Sequence, residues 1–309
     1  NGDCDMALVA GVNMAVSPAM SIAYGLTGMT SASGRCNTFD DSADGLVRGE
    51  GCGAIVLKRA VDVNSSAAKT NSTYAIVKGV AVASNGASAS FVAPNGGAQE
   101  KVIRRALADA KASVDDMHYY ESACVGSDLG DPVEMKALTK ALQGRRTDNL
   151  LVMGGVKANI GHLEAASGIA GLIKTILVLQ YEEAPPNAAL KQLSSRISKA
   201  MGSFPATFPT EVVPLSRSPS IGGPPLAGVS SFGFSGTIAH TLLSQVPLAN
   251  RRRKICAPDV SLASKFSNRR SYRWAPLPSN TQRKSSRAAL SRKREETIWT
   301  HNSICAEVI

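Results

Sequence analysis

The stretch GGVKANIGHLEAASGIAG, residues 154–171, decides the reading of this chain. Leu150 to Val156 is a short apolar run of strand length, and it leads into the stretch. After the stretch begins, Ile169, Leu172, Ile173, Ile176 and Leu177 recur at the spacing of one helical face. The local order is therefore strand, tight loop, helix. This spacing predicts Lys157 at a strand's carboxyl end and His162 at a helix N-terminus. Open α/β sheets hold ligands outside the carboxyl ends of their strands. The positive end of a helix disfavours imidazolium, so His162 is expected to stay neutral and donate from one ring nitrogen. Lys157 adds fixed positive charge, and the pair suits a developing oxyanion or enolate. Spacing alone also permits a plainer reading, a histidine packed at a helix start and a surface lysine.

Working outward, the elements alternate. Cys4 to Val12 reads as a buried strand, Asn13 to Met29 as helical or irregular, and Gly34 to Gly53 as a Gly- and Asp-rich loop. Ala54 to Lys58 is a further strand. Val61 to Ser72 is small and polar, a connection between halves. Then come strand Tyr74–Val82, helix Ala98–Ala110, strand Met117–Ala123 and helix Pro132–Leu142, before the central strand and helix. An irregular proline-bearing segment, 184–226, precedes two strands, Ala227–Phe232 and Thr237–Leu243, joined by Gly233-Phe234-Ser235-Gly236. Such alternation argues for α/β layers on a largely parallel sheet.

Of the 309 residues, 44% are apolar and 19% charged, enough to bury a core. No apolar run is long enough to cross a membrane as a helix. The net charge of +10 belongs to the end of the chain: residues 250–309 hold 14 Lys+Arg against 4 Asp+Glu, and the rest balances. Residues 248–309 are therefore expected to be a disordered basic linker or tail. Aromatics such as Tyr272, Trp274 and Trp299 are too sparse there for base stacking, which argues against nucleic acid. An acidic partner or a carrier protein is the alternative ligand for this tail. The six cysteines show no metal-ligand spacing, and a reducing compartment is the simpler reading. The chain opens on Asn1, at the threshold of a strand, and reads as a piece whose beginning is missing.

Six collinear motifs resemble the β-ketoacyl synthase (ketosynthase) domain, especially that of modular polyketide synthases. They are GDCDMALVAGVN at 2–13, FDDSADGLVRGEGCG at 39–53, APNGGAQE at 93–100, LGDPVE at 129–134, VKANIGHLEAASGIAGLIK at 156–174 and GVSSFGFSGTIAH at 228–240. The resemblance implies an α/β, thiolase-like layered αβαβα fold, incomplete at the N-terminus. Residues 1–62 would end the N-terminal half, and 73–247 would form the C-terminal half. It also implies decarboxylative Claisen condensation of an acyl thioester with a malonyl-type extender, in polyketide or fatty acid biosynthesis. No cofactor would be held permanently. The substrate carrier would be the phosphopantetheine arm of an acyl carrier protein, and the domain would be a cytoplasmic homodimer, with a plastid setting open.

Carried over by motif, His162 matches the family's second catalytic histidine and Lys157 its lysine. Asp131 and Glu134 match the supporting acidic pair, Asn159 stands as a further supporting residue, and Phe234 matches the gate of the acyl channel. Read from spacing alone, Asp131 and Glu134 could equally complement a helix dipole. Asp44, Arg48 and Glu50 are expected to brace the glycine loop, Cys124 to be structural, and His118 and His301 to lie at the surface. Two departures bear on function. None of the six cysteines stands in the nucleophile's motif, so that thiol is expected outside this chain. The first-histidine motif appears as ESACVGSDLGDP, with Ala123 where the family has histidine. Ile238 replaces a usual asparagine. A degenerate, non-catalytic ketosynthase-fold scaffold is therefore the alternative.

Overall fold

The computed structural model describes residues 4–59, 73–88, 90, 93–215 and 224–246. The connection 61–72, the basic stretch 248–309 and His301 lie outside the described residues. In chain order the elements are β1 (Met6–Asn13), α1 (Ala19–Leu26), β2 (Gly51–Lys58), β3 (Ile76–Ser84), α2 (Gly96–Asp109), β4 (Met117–Glu121), α3 (Gly130–Ala141) and β5 (Leu151–Gly154). They continue with a one-turn α4 (Lys157–Ile160), α5 (Ser167–Tyr181), β6 (Glu183–Ala184), α6 (Ser195–Met201), β7 (Ala206–Thr207), β8 (Val213–Pro214), β9 (Leu226–Phe232) and β10 (Thr237–Ser244).

A six-stranded sheet in the order β3-β10-β9-β4-β5-β7 forms the centre. It is mixed rather than largely parallel. β4 pairs parallel with β5 and β9, and β5 with β7, whereas β10 is antiparallel to both β9 and β3. The cause is the short turn at 233–236: it folds β10 straight back on β9, which only an antiparallel pair permits.

The two faces of this sheet are covered by different elements. Tyr120 joins Val102 and Ile103 of α2, Met135 and Leu138 of α3, and Ile197 and Met201 of α6 in one buried cluster. Its neighbour Tyr119 points the other way, and Lys174 of α5 sits over its ring. Covered on both faces, β4 is buried along its whole length. His118 is therefore buried, not at the surface, with Nδ1 2.7 Å from the Asp116 carbonyl. α2 starts where Asn95 caps it, its side chain accepting from the Ala98 N–H at 3.1 Å.

α5 lies between two sheets, and this corrects the single apolar face expected of it. Its residues Ser167, Gly171, Thr175, Val178 and Leu179 are buried, with Gly171 against Glu121 and Val229. Ile169 and Ile173 instead face the glycine-bearing β2, which pairs antiparallel with β1. A helix apolar all round is what two flanking sheets require. The layers run helix, sheet, helix, sheet.

Three further expectations are revised. β1 is a strand but not a buried one: Leu8 is 73% exposed and Met6 58% exposed, because its outer side carries no described element. The segment read as irregular contains α6, whose Ile197 and Met201 enter the core. Strand β4 ends at Glu121, two residues earlier than expected, so Ala123 lies in the loop beyond it.

The contact of α2 with β3 tests this packing. A Cβ on Gly79 would come within 2.4 Å of the Ala106 carbonyl oxygen and 2.6 Å of the Ala110 nitrogen, both backbone atoms. Gly79→Ala is expected to destabilise the chain by about 1–3 kcal/mol, read as a lower urea midpoint at unchanged slope.

Candidate active site

Two chain crossings beyond the carboxyl ends of β4 and β5 build the site. The first is the loop 122–129, tied to the start of α3. Asp131 accepts the N–H groups of Val125 (3.1 Å) and Gly126 (2.9 Å). Glu134 Oε1 accepts the Ala123 N–H (2.8 Å) and the Tyr120 hydroxyl (2.9 Å), while the Cys124 thiol lies 3.4 Å from Oε2. Both carboxyls are buried, and both bind loop backbone rather than only complementing a helix dipole. Burial raises Asp131 to about 6 and Glu134 to about 7, against the opposing pull of those N–H donors and of Lys157.

The second crossing carries the imidazole and the ammonium. Lys157 is not at the end of β5 but three residues on, in α4, and is only 6% exposed. Its ammonium donates to the Ala123 carbonyl at 2.8 Å. Val156, just before it, donates its N–H to Glu121 Oε1 at 2.5 Å, and Glu121 pairs with Lys174 at 2.9 Å. So a buried glutamate fixes the turn on which Lys157 stands.

His162 lies in the turn after α4, five residues before α5 rather than at its first residue. Its backbone N–H donates to Val47 (2.7 Å), and its carbonyl accepts from Gly49 (2.9 Å). The crossing is tight: a Cβ on Gly49 would come within 2.3 Å of the Ile160 oxygen, and Gly161 has a φ of 76°. The neighbouring Arg48 and Glu164 form an ion pair at 2.5 Å across it. Asp44 accepts from Ser31 and from the Ala32 N–H, and Glu50 from the Ala15 N–H, the bracing expected of them.

The ring of His162 has one tautomer. Nδ1 accepts the Glu164 backbone N–H at 2.9 Å, so it is unprotonated. The Ser167 hydroxyl lies 2.9 Å from the same atom. The proton of the neutral ring is then on Nε2, available to donate. Burial first, and then the charge of Lys157, lower the ring's pKa to about 4. The neutrality expected of His162 is thus present, but its causes are burial and a lysine rather than a helix end.

The structure brings together Lys157, Asp131, Glu134 and Ala123. The lysine's charge reaches both carboxyls and the His162 ring. Asn159 is exposed on α4. Phe234 is 49% exposed in the turn between β9 and β10. Cys124 is buried, and burial followed by the two carboxyls pushes its thiol well up, which disfavours the thiolate. Cys36, another buried thiol, holds the loop instead, accepting the Val47 N–H at 3.2 Å. Sequence reasoning passed over Tyr120, Ser167, Ser230 and His240. Ser167, Ser230 and His240 lie in quoted motifs, but nothing in their spacing marked them as partners. Among the described residues, no group of His, Cys, Asp and Glu could hold a metal ion, and no helix is long and apolar enough to cross a membrane.

Comparison with known proteins gives the family. Residues 1–62 match the model of the β-ketoacyl synthase N-terminal domain, and residues 74–191 that of its C-terminal domain. The chain is 42% identical over 245 residues to a phenolphthiocerol/phthiocerol polyketide synthase of Mycobacterium tuberculosis, covering 79% of this chain and 11% of that protein. To 6-methylsalicylic acid synthase of Penicillium terrestre it is 39% identical over 246 residues, 78% of this chain and 13% of that one. Among solved structures, the ketosynthase from module 6 of the Bacillus subtilis bacillaene synthase superposes with a TM-score of 0.73 at 31% identity, over 79% of this chain and 43% of that one. The oxazolomycin ketosynthase domain of Streptomyces albus gives 0.74 at 32% identity, over 80% and 42%. The layered α/β body is thiolase-like. The chain belongs to the β-ketoacyl synthase family, as a ketosynthase domain of the modular polyketide synthase kind. It spans about a tenth of the curated relatives' length and under half of the solved ketosynthase chains.

The carboxyl pair gives a pH test. The folded chain keeps the Glu134 proton up to about 7, whereas an ordinary glutamate loses it near 4.5. Its contribution to stability is therefore full below about 4.5 and falls as pH rises to about 7. Glu134→Gln keeps an oxygen for Tyr120 and Ala123 but cannot ionise. This variant is expected to escape a decline of about 3 kcal/mol over that window, measured by urea unfolding at stepped pH.

Proposed function

We propose that this chain contributes the histidine and lysine of a condensing centre that performs decarboxylative Claisen condensation in polyketide biosynthesis. The observation that carries the reading is the tautomer of His162: Nδ1 is occupied by a backbone N–H, which leaves Nε2–H as a donor beside a buried ammonium. In the reaction, the bond between the carboxylate and the α-carbon of a malonyl thioester breaks. Carbon dioxide leaves, and the electron pair becomes an enolate. The Nε2–H of His162 donates to the enolate oxygen, as a preorganised oxyanion donor does. The enolate carbon then attacks the acyl thioester carbonyl, a carbon–carbon bond forms as the acyl carbon–sulfur bond breaks, and the thiolate that had carried the acyl group departs. Lys157 keeps the imidazole neutral and lends positive potential. Asp131 and Glu134 hold the loop that anchors Lys157, Asn159 supports α4, and Phe234 gates the acyl channel. The extender arrives on the phosphopantetheine arm of an acyl carrier protein, and the domain works as a homodimer in the cytoplasm or a plastid.

Ala123 favours a second reading, a degenerate ketosynthase fold that keeps its scaffold without condensing. A methyl group cannot donate to an enolate. Loss of one such donor typically costs about 10²–10³ in rate.

The two readings separate on malonyl-thioester decarboxylation by the full-length protein that contains this chain. With condensation as its task, the unaltered protein releases carbon dioxide, and His162→Ala abolishes the release. For the scaffold, release is at background and Ala123→His raises it by about 10²–10³. Background rates in both the unaltered protein and Ala123→His would overturn the assignment of His162 as the donor.

A further inference from the structure

His240 is a buried imidazole that the reading above does not use. It is 0% exposed and stacks on Tyr120 with ring centroids 5.8 Å apart. Its Nδ1 lies 2.9 Å from Ser230 Oγ, and Ser230 Oγ lies 2.7 Å from the Tyr120 hydroxyl. That hydroxyl donates to Glu134 Oε1 at 2.9 Å, beside the Ala123 N–H at 2.8 Å. Ala123's own carbonyl accepts the Lys157 ammonium at 2.8 Å. One line of contacts therefore runs from β10 through β9 and β4 to the lysine.

Counting protons gives the line a direction. Glu134 Oε1 already receives two donors, so a proton bound by this carboxyl goes to Oε2. Tyr120 has one hydroxyl proton, and it goes to Glu134; its oxygen must accept from Ser230. Ser230 also has one, and it goes to Tyr120; its oxygen must accept from His240. His240 then carries its proton on Nδ1, and Nε2 is bare. Among the described residues, Nε2 has no hydrogen-bond partner. It faces Gly228, where a Cβ would come within 2.9 Å of it. Burial lowers this ring's pKa to about 3, so it stays neutral.

We infer that Tyr120, Ser230 and His240 are positioning residues, a one-directional hydrogen-bond chain that holds Glu134 against the Ala123 amide and so fixes the carbonyl that anchors Lys157. The inference rests on the reading of Lys157 and His162 as the reacting edge. Its test needs no turnover, so the two can fail separately.

The full chain labelled with ¹⁵N-histidine contains four histidines, assigned by single replacement. Long-range ¹H–¹⁵N correlation reads each tautomer. Opposite tautomers are expected in one spectrum, Nδ1–H for His240 and Nε2–H for His162. Nε2–H at His240 would overturn the chain's direction and with it the proposal. The second measurement is the infrared band of protonated Glu134, assigned with Glu134→Gln and followed against pH. The groups facing this carboxyl are Lys157 from α4, Asp131 from its own helix, Cys124 from the loop, and Tyr120 from β4 with His240 behind it. Tyr120→Phe removes one donor to the ionised form, so the midpoint is expected to rise by about one pH unit. An unmoved midpoint in a folded Tyr120→Phe would mean that the ring merely fills space, and would sink the proposal. Should that variant not fold, the tautomer of His240 in the unaltered chain still decides.

Discussion

A buried ammonium must find an acceptor, and at Lys157 that acceptor is a peptide carbonyl. An unpaired charge in the interior is too costly to persist. Here the lysine's proton goes to the Ala123 oxygen, while two buried carboxyls stand nearby without touching it as a salt bridge. This division matters. A direct carboxylate–ammonium pair would hold the lysine but largely cancel its field. Bonded to a carbonyl, the lysine keeps its charge effective at His162, where it helps to hold the imidazole neutral. The carboxyls in turn accept backbone N–H groups of the same loop, so the segment is gripped at its amides and at its carbonyl.

The position of His162 depends on residues more than a hundred positions away. The Val47–Gly49 backbone clamps the histidine's own backbone on both sides, and Arg48 reaches Glu164 just beyond it. This works only because Gly49 and Gly161 let two chains approach closer than side chains allow. Asp40 adds a second tie, its carboxylate accepting the N–H groups of Lys191 (2.7 Å) and Gln192 (3.0 Å). The glycine- and aspartate-rich loop is thus the fastening between the two parts of the chain.

These dependencies explain what could be read in the sequence. Element type was legible wherever one periodic face sufficed, as in α2 and α3. The face of α5 was not, because its apolar residues serve two sheets and no single 3.6-residue stripe describes both. Strand direction at β10 turned on a four-residue turn that the sequence displayed plainly, and the parallel bias of the preceding alternation hid it. Lys157 and His162 stood out because their chemistry is local, one turn apart. The partners that orient them did not. Glu121, Tyr120, Ser230 and His240 lie on strands whose register is a tertiary property, and a pattern of single residues cannot show that a tyrosine hydroxyl from one strand meets a serine from another. His118 was misplaced for the same reason: its burial follows from the layers on both sides of β4.

Ala123 separates two kinds of work done at one position. Its N–H and carbonyl hold Glu134 and Lys157, and any residue other than proline supplies both. A change of side chain there therefore leaves the ties to the lysine and to Glu134 in place. The geometry around Lys157 and Glu134 is written largely in backbone hydrogen bonds, so it does not depend on the side chain at 123. By the same logic, a change at Tyr120 or Ser230 would disturb the arrangement of a site that neither residue enters.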